Sequence, residues 1–314
     1  MTCEALPNPS PALVEALRPL AGMRIALIAP AGGVKDERID TALAVLEAAG
    51  IDAPLGAHAR DHHRYLAGTA AQRLADLQAA FESPKVDAVW CLRGGYGSAQ
   101  FVQAIDWDRI PRHVPLVGYS DMSLLLAAFT RHDRAAIHAS VATELALPGE
   151  TPAEQQARTA SMASLAACLQ GEPGEWPLAY HGGPAEALGG RVVGGNLTTL
   201  ASVAGTPAAL TLDADSILLL EDVGEAEFRL ERCLQQLLDA VDTRRVKALV
   251  LGRFERCNLA CGMDSLVEIV AEYTNARGIA LYSDAPVGHG CVNHAWRYGA
   301  TARIEANRLR IGGL

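Results

Sequence analysis

The stretch HVPLVGYSDMSLLLAAFTRH (113–132) decides the fold class. Its first part is a short apolar run typical of a buried strand, and DMSLLLAAFTRH predicts a helix with an acidic residue in its first turn. Upstream, MRIALIAP (23–30) and VDAVWCL (86–92) predict buried strands, Arg38–Ala49 has apolar residues at helical spacing, and Ile51–Pro54 predicts a further strand or sheet edge. Such alternation is typical of a largely parallel sheet covered by helices.

The second half of the chain repeats this alternation after a change in composition. Residues 147–184 are rich in Pro, Gly, Glu and Gln and contain one helical stretch, Pro152–Leu169, which predicts a connection between domains. Strands are then predicted at SILLLE, VKALVLGRF and IALYSDAPVG, with helices between them and a hairpin around Asn307. We therefore predict an α/β protein with a parallel-sheet domain flanked by helices (1–146), a mixed α/β domain (185–314), and an active site between them.

Charge and cysteine content narrow the class of protein. The 314 residues contain 27 Lys and Arg against 36 Asp and Glu, a balance of −9, so we expect no nucleic acid partner. The N-terminus lacks the pattern of a signal peptide and no apolar stretch approaches the roughly 20 residues of a membrane span, which predicts a cytoplasmic protein without membrane contact. The seven cysteines are scattered, which predicts reduced thiols, and Cys257 and Cys261 lack the second pair of a zinc finger.

The ends of the predicted strands carry the candidate catalytic groups, because ligands bind outside the carboxyl ends of parallel strands. Ser120 lies between a strand and a helix, where a nucleophile is exposed above the sheet, but of the G-x-S-x-G pattern only Gly118 is present. The alternative that Ser120 or Asp121 merely caps the helix therefore stays open. The glycine-rich loop RGGYG (93–97) ends another strand and leaves backbone N–H groups accessible to an anion or an oxyanion.

Two further groups complete a possible triad. Glu221 closes an apolar strand, where a carboxylate is costly unless it is paired, and His289 follows the last predicted strand of the alternation. Ser120, Glu221 and His289 would then form a Ser–Glu–His set in which Glu orients His and His deprotonates Ser. Two alternatives remain at this stage: a metal site from His289, Cys291 and His294, and Cys91 as the nucleophile of an amidotransferase-like site.

Six motifs in order carry a family resemblance. They are IALIAP, CLRGGYGSAQFVQAIDW, PLVGYSDMSLLLAAF, GGNLTTLASVAGTP, LLLEDVGEAEFRLERCLQQL and PVGHG. The chain from about Arg24 onward resembles the LD-carboxypeptidases, the serine peptidase group of muramoyltetrapeptide carboxypeptidase and the microcin C immunity peptidases. Two stretches depart from the family pattern: Ala31-Gly32-Gly33 replaces Ser-Gly, and residues 187–191 lack a nearby aromatic residue.

The resemblance implies a role for each member of the triad. Ser120 would be the nucleophile, His289 the general base and then acid, and Glu221 the residue that orients His289. Glu225 is the competing carboxylate, but it opens the next helix, where an acidic residue has a structural role. An oxyanion hole is implied from the backbone N–H of Asp121 and of a glycine in the RGGYG loop, for which we choose Gly95.

The resemblance also implies a reaction and its partners. The substrate would be a murein tetrapeptide, cleaved between meso-diaminopimelate and D-alanine in cell-wall recycling by a homodimer without metal or cofactor. Arg93, Arg229 and Arg232 are candidates to bind substrate carboxylates, although Arg229 could instead pair with Glu225 at i, i+4. Two other functions stay open: cleavage of a peptidyl nucleotide, and binding of peptidoglycan fragments without catalysis. The first would need an aromatic loop, and the stretch 254–264 has no tryptophan.

Overall fold

The computed structural model describes residues 9–147, 149–184 and 187–313. Residues 1–8, which begin the N-terminal stretch predicted to lack a signal peptide, lie outside the described residues, and so does residue 185, the predicted start of the second domain. In these ranges the chain forms eight α-helices: α1 (Pro11–Leu17), α2 (Asp36–Ala48), α3 (Ala70–Glu82), α4 (Met122–Arg131), α5 (Pro152–Leu169), α6 (Leu197–Ser202), α7 (Glu227–Ala240) and α8 (Met263–Asn275). None of these helices is long and apolar enough to cross a membrane.

Fourteen strands occur in the same described ranges. They are β1 (Ile25–Ile28), β2 (Ala88–Cys91), β3 (Leu116–Gly118), β4 (Ala136–His138), β5 (Gly174–Pro177), β6 (Ala179–Gly182), β7 (Leu188–Asn196), β8 (Ser216–Val223), β9 (Val246–Glu255), β10 (Ala260–Gly262), β11 (Ala280–Ser283), β12 (Trp296–Arg297), β13 (Thr301–Glu305) and β14 (Arg308–Ile311). Short 3₁₀ helices cover Arg18–Leu20, Ser98–Gln100, Val102–Ala104, Trp107–Arg109, Ala142–Ala146 and Thr243–Arg245.

The first sheet has the strand order β1-β2-β3-β4-β12, and its first four strands are parallel. These strands are buried along their whole length because both faces are covered, which explains their continuous apolar sequence. Ile25 and Leu27 face a cluster formed with α1, α2 and α5, while Ala26 and Ile28 face the opposite cluster, which extends into the second half of the chain.

The second sheet has the order β5-β14-β13-β7-β8-β9-β11-β6, in which the four central strands β7, β8, β9 and β11 are parallel. Helix α4 packs between the two sheets and against α6, and its residues Met122–Phe129 are all buried. This burial explains why the helix is apolar on every side. The two-domain α/β fold with a parallel first sheet and a mixed second sheet is confirmed.

The structure departs from the sequence analysis at several elements. Strands β5 and β6 lie inside the predicted connection 147–184 but belong to the second sheet, and β12 from the second half pairs with β4 in the first. The division at 1–146 and 185–314 thus stays a prediction, because strand pairing crosses both boundaries. Around Ile51–Pro54 only isolated bridges form. The hairpin at Asn307 is confirmed, with Ala306 and Asn307 at φ of 48° and 55°, as a tight two-residue turn requires.

Candidate active site

Ser120 adopts a left-handed backbone conformation, with φ of 65°, at the turn from β3 to α4. A side chain other than glycine is uncommon there and persists only where the surrounding structure imposes it. Close packing imposes it here: a Cβ on Gly118 would lie 2.8 Å from Met122 Cγ, and a Cβ on Gly94 would lie 2.7 Å from Ser120 Cβ. The turn therefore has the strained geometry of a nucleophile elbow, with the second close glycine supplied by another strand.

Asp121 is the N-cap residue of helix α4, but its side chain forms no capping hydrogen bond. Its buried carboxylate instead accepts a hydrogen bond from the backbone N of Ser98 at 2.9 Å, and Ser98 Oγ donates to the Asp121 carbonyl at 3.1 Å. Burial raises the pKa of Asp121, and the bonds from Ser98 and the charge of Arg73 offset part of this rise. The alternative that Asp121 serves only as a helix cap is wrong, because its side chain holds the end of the RGGYG loop against the elbow.

Arg73, on α3, holds the same loop from the other side. Its guanidinium is almost fully buried and donates to the carbonyl oxygens of Gly97 at 2.7 Å and Pro30 at 2.8 Å. The sequence analysis did not predict a role for this residue. The signal that could have found it is that Arg73 lies on the buried face of α3, where a charged side chain needs a partner.

His289 and Glu221 form a hydrogen-bonded pair, with 2.6 Å between His289 Nδ1 and Glu221 Oε2. Glu221, near the end of β8, is fully buried, and burial raises its pKa while the neighbouring His289 opposes the rise. Burial lowers the pKa of His289, but the Glu221 carboxylate outweighs this effect and the net shift is upward. The pair can therefore stabilise an imidazolium that forms during a reaction.

The other ring nitrogen of His289, Nε2, is buried and accepts or donates no hydrogen bond among the described residues. The ring lies 4.6 Å from the ring of Tyr119, the residue immediately before Ser120, measured between centroids. This contact brings the elbow and the Glu221–His289 pair together, although no hydrogen bond joins Ser120 to His289 within the described chain. Such a bond is often long or absent in the free state of an enzyme and forms when substrate binds.

A buried network behind the histidine includes two further residues that sequence reasoning missed. Glu144 accepts a hydrogen bond from Tyr119 Oη at 2.6 Å and pairs with Arg158 of α5 at 3.3 Å. Burial raises the pKa of Glu144, and the bond from Tyr119 and the charge of Arg158 lower it in part. No sequence motif points to these residues, because the contacts join segments that lie far apart in the chain.

The backbone N–H groups of the predicted oxyanion hole are those of Gly95, in the RGGYG loop, and Asp121, directly after Ser120. Neither N–H group donates to an acceptor among the described residues. A Cβ on Gly94 would lie 3.3 Å from the Asp121 nitrogen, so this loop and the start of α4 share one small space. The assignment of Gly95 and Asp121 to an oxyanion hole stays a prediction.

Comparison with known proteins identifies the family. The model of the LD-carboxypeptidase N-terminal domain matches residues 25–139, and that of the LD-carboxypeptidase C-terminal domain matches residues 189–304. The chain belongs to the LD-carboxypeptidase family. Membership confirms the predicted enzyme class, a carboxypeptidase of the serine type.

Individual LD-carboxypeptidase relatives match almost the whole chain. Murein tetrapeptide carboxypeptidase of Pseudomonas aeruginosa is 48% identical over 305 residues, which cover 96% of this chain and 98% of the relative. Muramoyltetrapeptide carboxypeptidase from Oxalobacter formigenes superimposes with a TM-score of 0.79 at 26% identity, covering 92% of this chain and 99% of the other. The microcin C7 self immunity protein MccF, at 19% identity and a TM-score of 0.79 over 93% and 96%, shares the fold.

The carboxylate and arginine candidates of this LD-carboxypeptidase differ in their surroundings. Glu225, the competitor of Glu221, pairs with Arg229 at 3.6 Å on the surface of the molecule. Arg232 lies over the ring of Phe228, 5.6 Å from its centroid, and Arg93 donates to the Gly33 carbonyl at 2.5 Å. Arg229 thus contacts a residue just before α7 and Arg232 a residue of α7 itself, whereas Arg93 lies in the loop next to the elbow.

The structure does not support the two alternative sites, the Cys91 nucleophile and the metal site of His289, Cys291 and His294. Cys91 is fully buried, and burial raises the pKa of its thiol, so it does not supply a reactive thiolate. Cys291 accepts a hydrogen bond from Arg158 at 3.3 Å, and in the described part of the chain no three His, Cys, Asp or Glu side chains are arranged to hold a metal ion.

Proposed function

We propose that the protein is a serine LD-carboxypeptidase that hydrolyses the amide between the L-centre of meso-diaminopimelate and the terminal D-alanine of murein tetrapeptides in cell-wall recycling. One observation carries the proposal: Ser120 has a left-handed backbone, and the ring of the preceding residue, Tyr119, contacts a histidine whose Nδ1 is bonded to a buried glutamate. The 48% identity to murein tetrapeptide carboxypeptidase of Pseudomonas aeruginosa supports the choice of substrate.

In the acylation step, Ser120 Oγ attacks the carbonyl carbon of the scissile amide. His289 Nε2 takes the hydroxyl proton, and Glu221 stabilises the imidazolium through the bond to Nδ1. The carbonyl oxygen becomes an oxyanion that the N–H groups of Gly95 and Asp121 are free to bind. His289 then protonates the D-alanine nitrogen, the C–N bond breaks, and D-alanine leaves an acyl ester on Ser120.

Deacylation repeats these steps with water. His289 Nε2 removes a proton from the water, the resulting hydroxide attacks the ester, and the same proton returns to Ser120 Oγ as the tripeptide leaves. Each proton that His289 takes is given back within the cycle. The chemistry of these residues is thus sufficient for both half-reactions.

Mass spectrometry of the purified protein incubated with murein tetrapeptide tests the proposal. The wild type should release D-alanine, and should not act on the isomer that ends in L-alanine. The Ser120→Ala variant should be folded and inactive, because it lacks the attacking hydroxyl. Undiminished turnover by this variant would rule out the serine mechanism.

The same assay separates the remaining functions. Cleavage of a peptidyl nucleotide with no action on the tetrapeptide would move the assignment to that substrate, and binding without turnover of either would identify a peptidoglycan-fragment binder. The homodimer and the cytoplasmic location stay predictions, which sedimentation of the pure protein and fractionation of cells would test.

A further inference from the structure

Tyr119 contacts both parts of the candidate catalytic group. Its backbone leads directly into Ser120 at the turn from β3 to α4, and its ring lies 4.6 Å from the ring of His289, measured between centroids. The side chain is only 7% exposed, and the ring of His138 on β4 lies 5.9 Å from it. Two imidazole rings therefore confine the tyrosine ring, and its position influences where His289 lies relative to Ser120.

Glu144, in the 3₁₀ helix Ala142–Ala146 after β4, fixes the free end of this tyrosine. Tyr119 Oη donates to Glu144 Oε1 at 2.6 Å, a short distance typical of a hydrogen bond to an ionised carboxylate. The other carboxylate oxygen accepts a hydrogen bond from Arg158 of α5 at 3.3 Å. Because all three side chains are buried, neither the tyrosine hydroxyl nor the carboxylate can exchange its partner for water without opening the core.

Glu144 is the member of its ion pair that acts on the histidine. It bonds to the tyrosine whose ring contacts His289, and its charge raises the pKa of His289. Arg158 instead extends to Cys291, two residues beyond the histidine, and donates to its Sγ at 3.3 Å. The ion pair thus keeps a carboxylate ionised inside the protein, on the side of the tyrosine.

Burial lowers the pKa of His289, and three carboxylates act against this effect. Glu221 and Asp222 come from β8 and Glu144 from the segment after β4, and the charge of each raises the pKa of the histidine. His138 adds no charge at neutral pH, because burial lowers its pKa to about 3. An imidazolium in this buried place is therefore stabilised by more than the one carboxylate bonded to it.

We propose that Glu144 is a positioning residue for the reaction, which fixes the ring of Tyr119 against His289 and supplies a second negative charge near the imidazole. The inference rests on the proposed function. The first effect keeps His289 within reach of the Ser120 hydroxyl, and the second stabilises the imidazolium that forms when Ser120 loses its proton. Glu144 touches neither the substrate nor the reacting atoms, and so it acts only through Tyr119 and through its charge.

Removing one hydroxyl tests the positioning effect. Tyr119→Phe keeps the ring but loses the bond to Glu144, and kcat for D-alanine release should fall about tenfold with little change in KM. Tyr298→Phe is the matched control, because its buried hydroxyl is also bonded, to the backbone N and carbonyl of Gly194 at 3.0 and 3.1 Å. This variant should keep the wild-type kcat. Equal losses of kcat in the two variants would overturn the inference.

Removing the charge alone tests the electrostatic effect. Glu144→Gln keeps an acceptor for the Tyr119 hydroxyl, but without the carboxylate charge His289 holds its proton less tightly. The acidic limb of kcat/KM should therefore move to lower pH by about one pH unit. In Glu144→Leu the acceptor is lost as well, and adding Tyr119→Phe to this variant should lower kcat no further, because both changes break the same bond.

A second variant separates this role from a purely structural one. Glu144→Gln leaves the buried charge of Arg158 without its carboxylate, which destabilises the fold, whereas Glu144→Gln combined with Arg158→Met removes both charges. Thermal unfolding should show that the double variant is more stable than Glu144→Gln, while its acidic limb stays at the lower pH. Return of the limb to the wild-type position together with stability would overturn the inference.

The outcomes also separate this inference from the proposed function. An acidic limb that does not move in Glu144→Gln would overturn the inference, while D-alanine release by the wild type still supports the function. If the wild type releases no D-alanine, the proposed function fails, and an NMR titration of the His289 imidazole decides on Glu144. The imidazole should then titrate about one pH unit lower in Glu144→Gln than in the wild type and in Tyr298→Phe. Equal titration in all three proteins would overturn the inference.

Discussion

At the scale of single residues, the turn at Ser120 depends on two glycines that are far apart in the sequence. Gly118 precedes Ser120 by two positions and is visible as a motif fragment, whereas Gly94 lies in another strand's loop. A Cβ at Gly94 would collide with Ser120 itself. The missing glycine after the serine therefore does not argue against a nucleophile, because the close approach is supplied from elsewhere in the fold.

Replacing Gly94 by alanine should reduce kcat by about 100-fold, because the new Cβ displaces Ser120 and a misplacement of this size costs that much in rate. Gly94 does not have a left-handed φ, so alanine adds no backbone strain there, but the buried overlap with Ser120 should cost about 1–3 kcal/mol and lower the melting temperature by a few degrees. Steady-state kinetics with thermal unfolding measures both effects. Gly189→Ala is the control, since its Cβ would meet no atom closer than 3.8 Å; an equal loss of activity there would contradict the argument.

The two candidate carboxylates predict different pH behaviour. His289 must be neutral to accept a proton, and its pKa is raised above the ordinary value of about 6.5, so kcat/KM of the wild type should fall as pH decreases through this raised pKa. Glu221→Gln removes the charge that raises it; the acidic limb should move to lower pH while kcat drops by roughly 100- to 10,000-fold. Glu225→Gln should alter kcat less than a few-fold, and the reverse order would mean that Glu225 orients the histidine.

At the scale of elements, helix α5 both connects the two halves of the chain and contacts the segment after His289. Its polar residues Arg158, Ser161 and Ser164 are spaced by three and contact the segment that follows His289. Ser161 Oγ lies 3.0 Å from the Cys291 carbonyl oxygen and accepts a hydrogen bond from the backbone N of Asn293 at 2.9 Å. The helix between the two halves thus holds the segment that follows the candidate residue His289.

Ser161→Ala should lower kcat roughly tenfold, the equivalent of about 1.4 kcal/mol, because the His289 loop loses buried hydrogen bonds that position it. Its acidic pH limb should stay at the wild-type position, since no charge near His289 changes. The control is Thr159→Ala on the same helix, whose hydroxyl bonds only to the Gln155 carbonyl at 2.8 Å. Identical kinetics in the two variants would exclude the positioning role.

At the scale of the whole molecule, the two sheets are not separable along the chain. Trp296 and Arg297 add an antiparallel strand to the first sheet, and one hydrophobic cluster extends from Ala26 through helix α4 to Ile311. An interface of this kind resembles a domain core more than a hinge surface. Both halves of the candidate site are therefore fixed relative to each other.

We expect the protein to unfold in a single transition, with equal calorimetric and van't Hoff enthalpies, because the shared core couples the two sheets. The fragment 1–146 expressed alone should lack a cooperative thermal transition by circular dichroism, since it exposes helix α4 and lacks strand β12. A stable, cooperatively folded fragment would show instead that the first sheet is independent.

The sequence by itself determined the elements and their order. Buried strands and helices have local hydrophobic periods, and these predicted strands β1, β2, β3, β8 and β9 and the α5 helix at its observed bounds. Local patterns also located the candidate groups at strand ends: Ser120, Glu221 and His289. Short or glycine-rich strands such as β5, β6, β7 and β12 have no such period, which is why they were not predicted.

Only the tertiary structure decided which of these groups meet. Glu221 and His289 are 68 positions apart; the position of Glu221 at a strand end favoured it over Glu225, but only the folded chain shows that its carboxylate bonds to the histidine. The roles of Arg73 and Glu144 likewise arise from burial, since a buried charge must find a partner and the partner is set by the packing of distant segments. Periodicity is a property of neighbouring residues, whereas a catalytic constellation is a property of the folded chain.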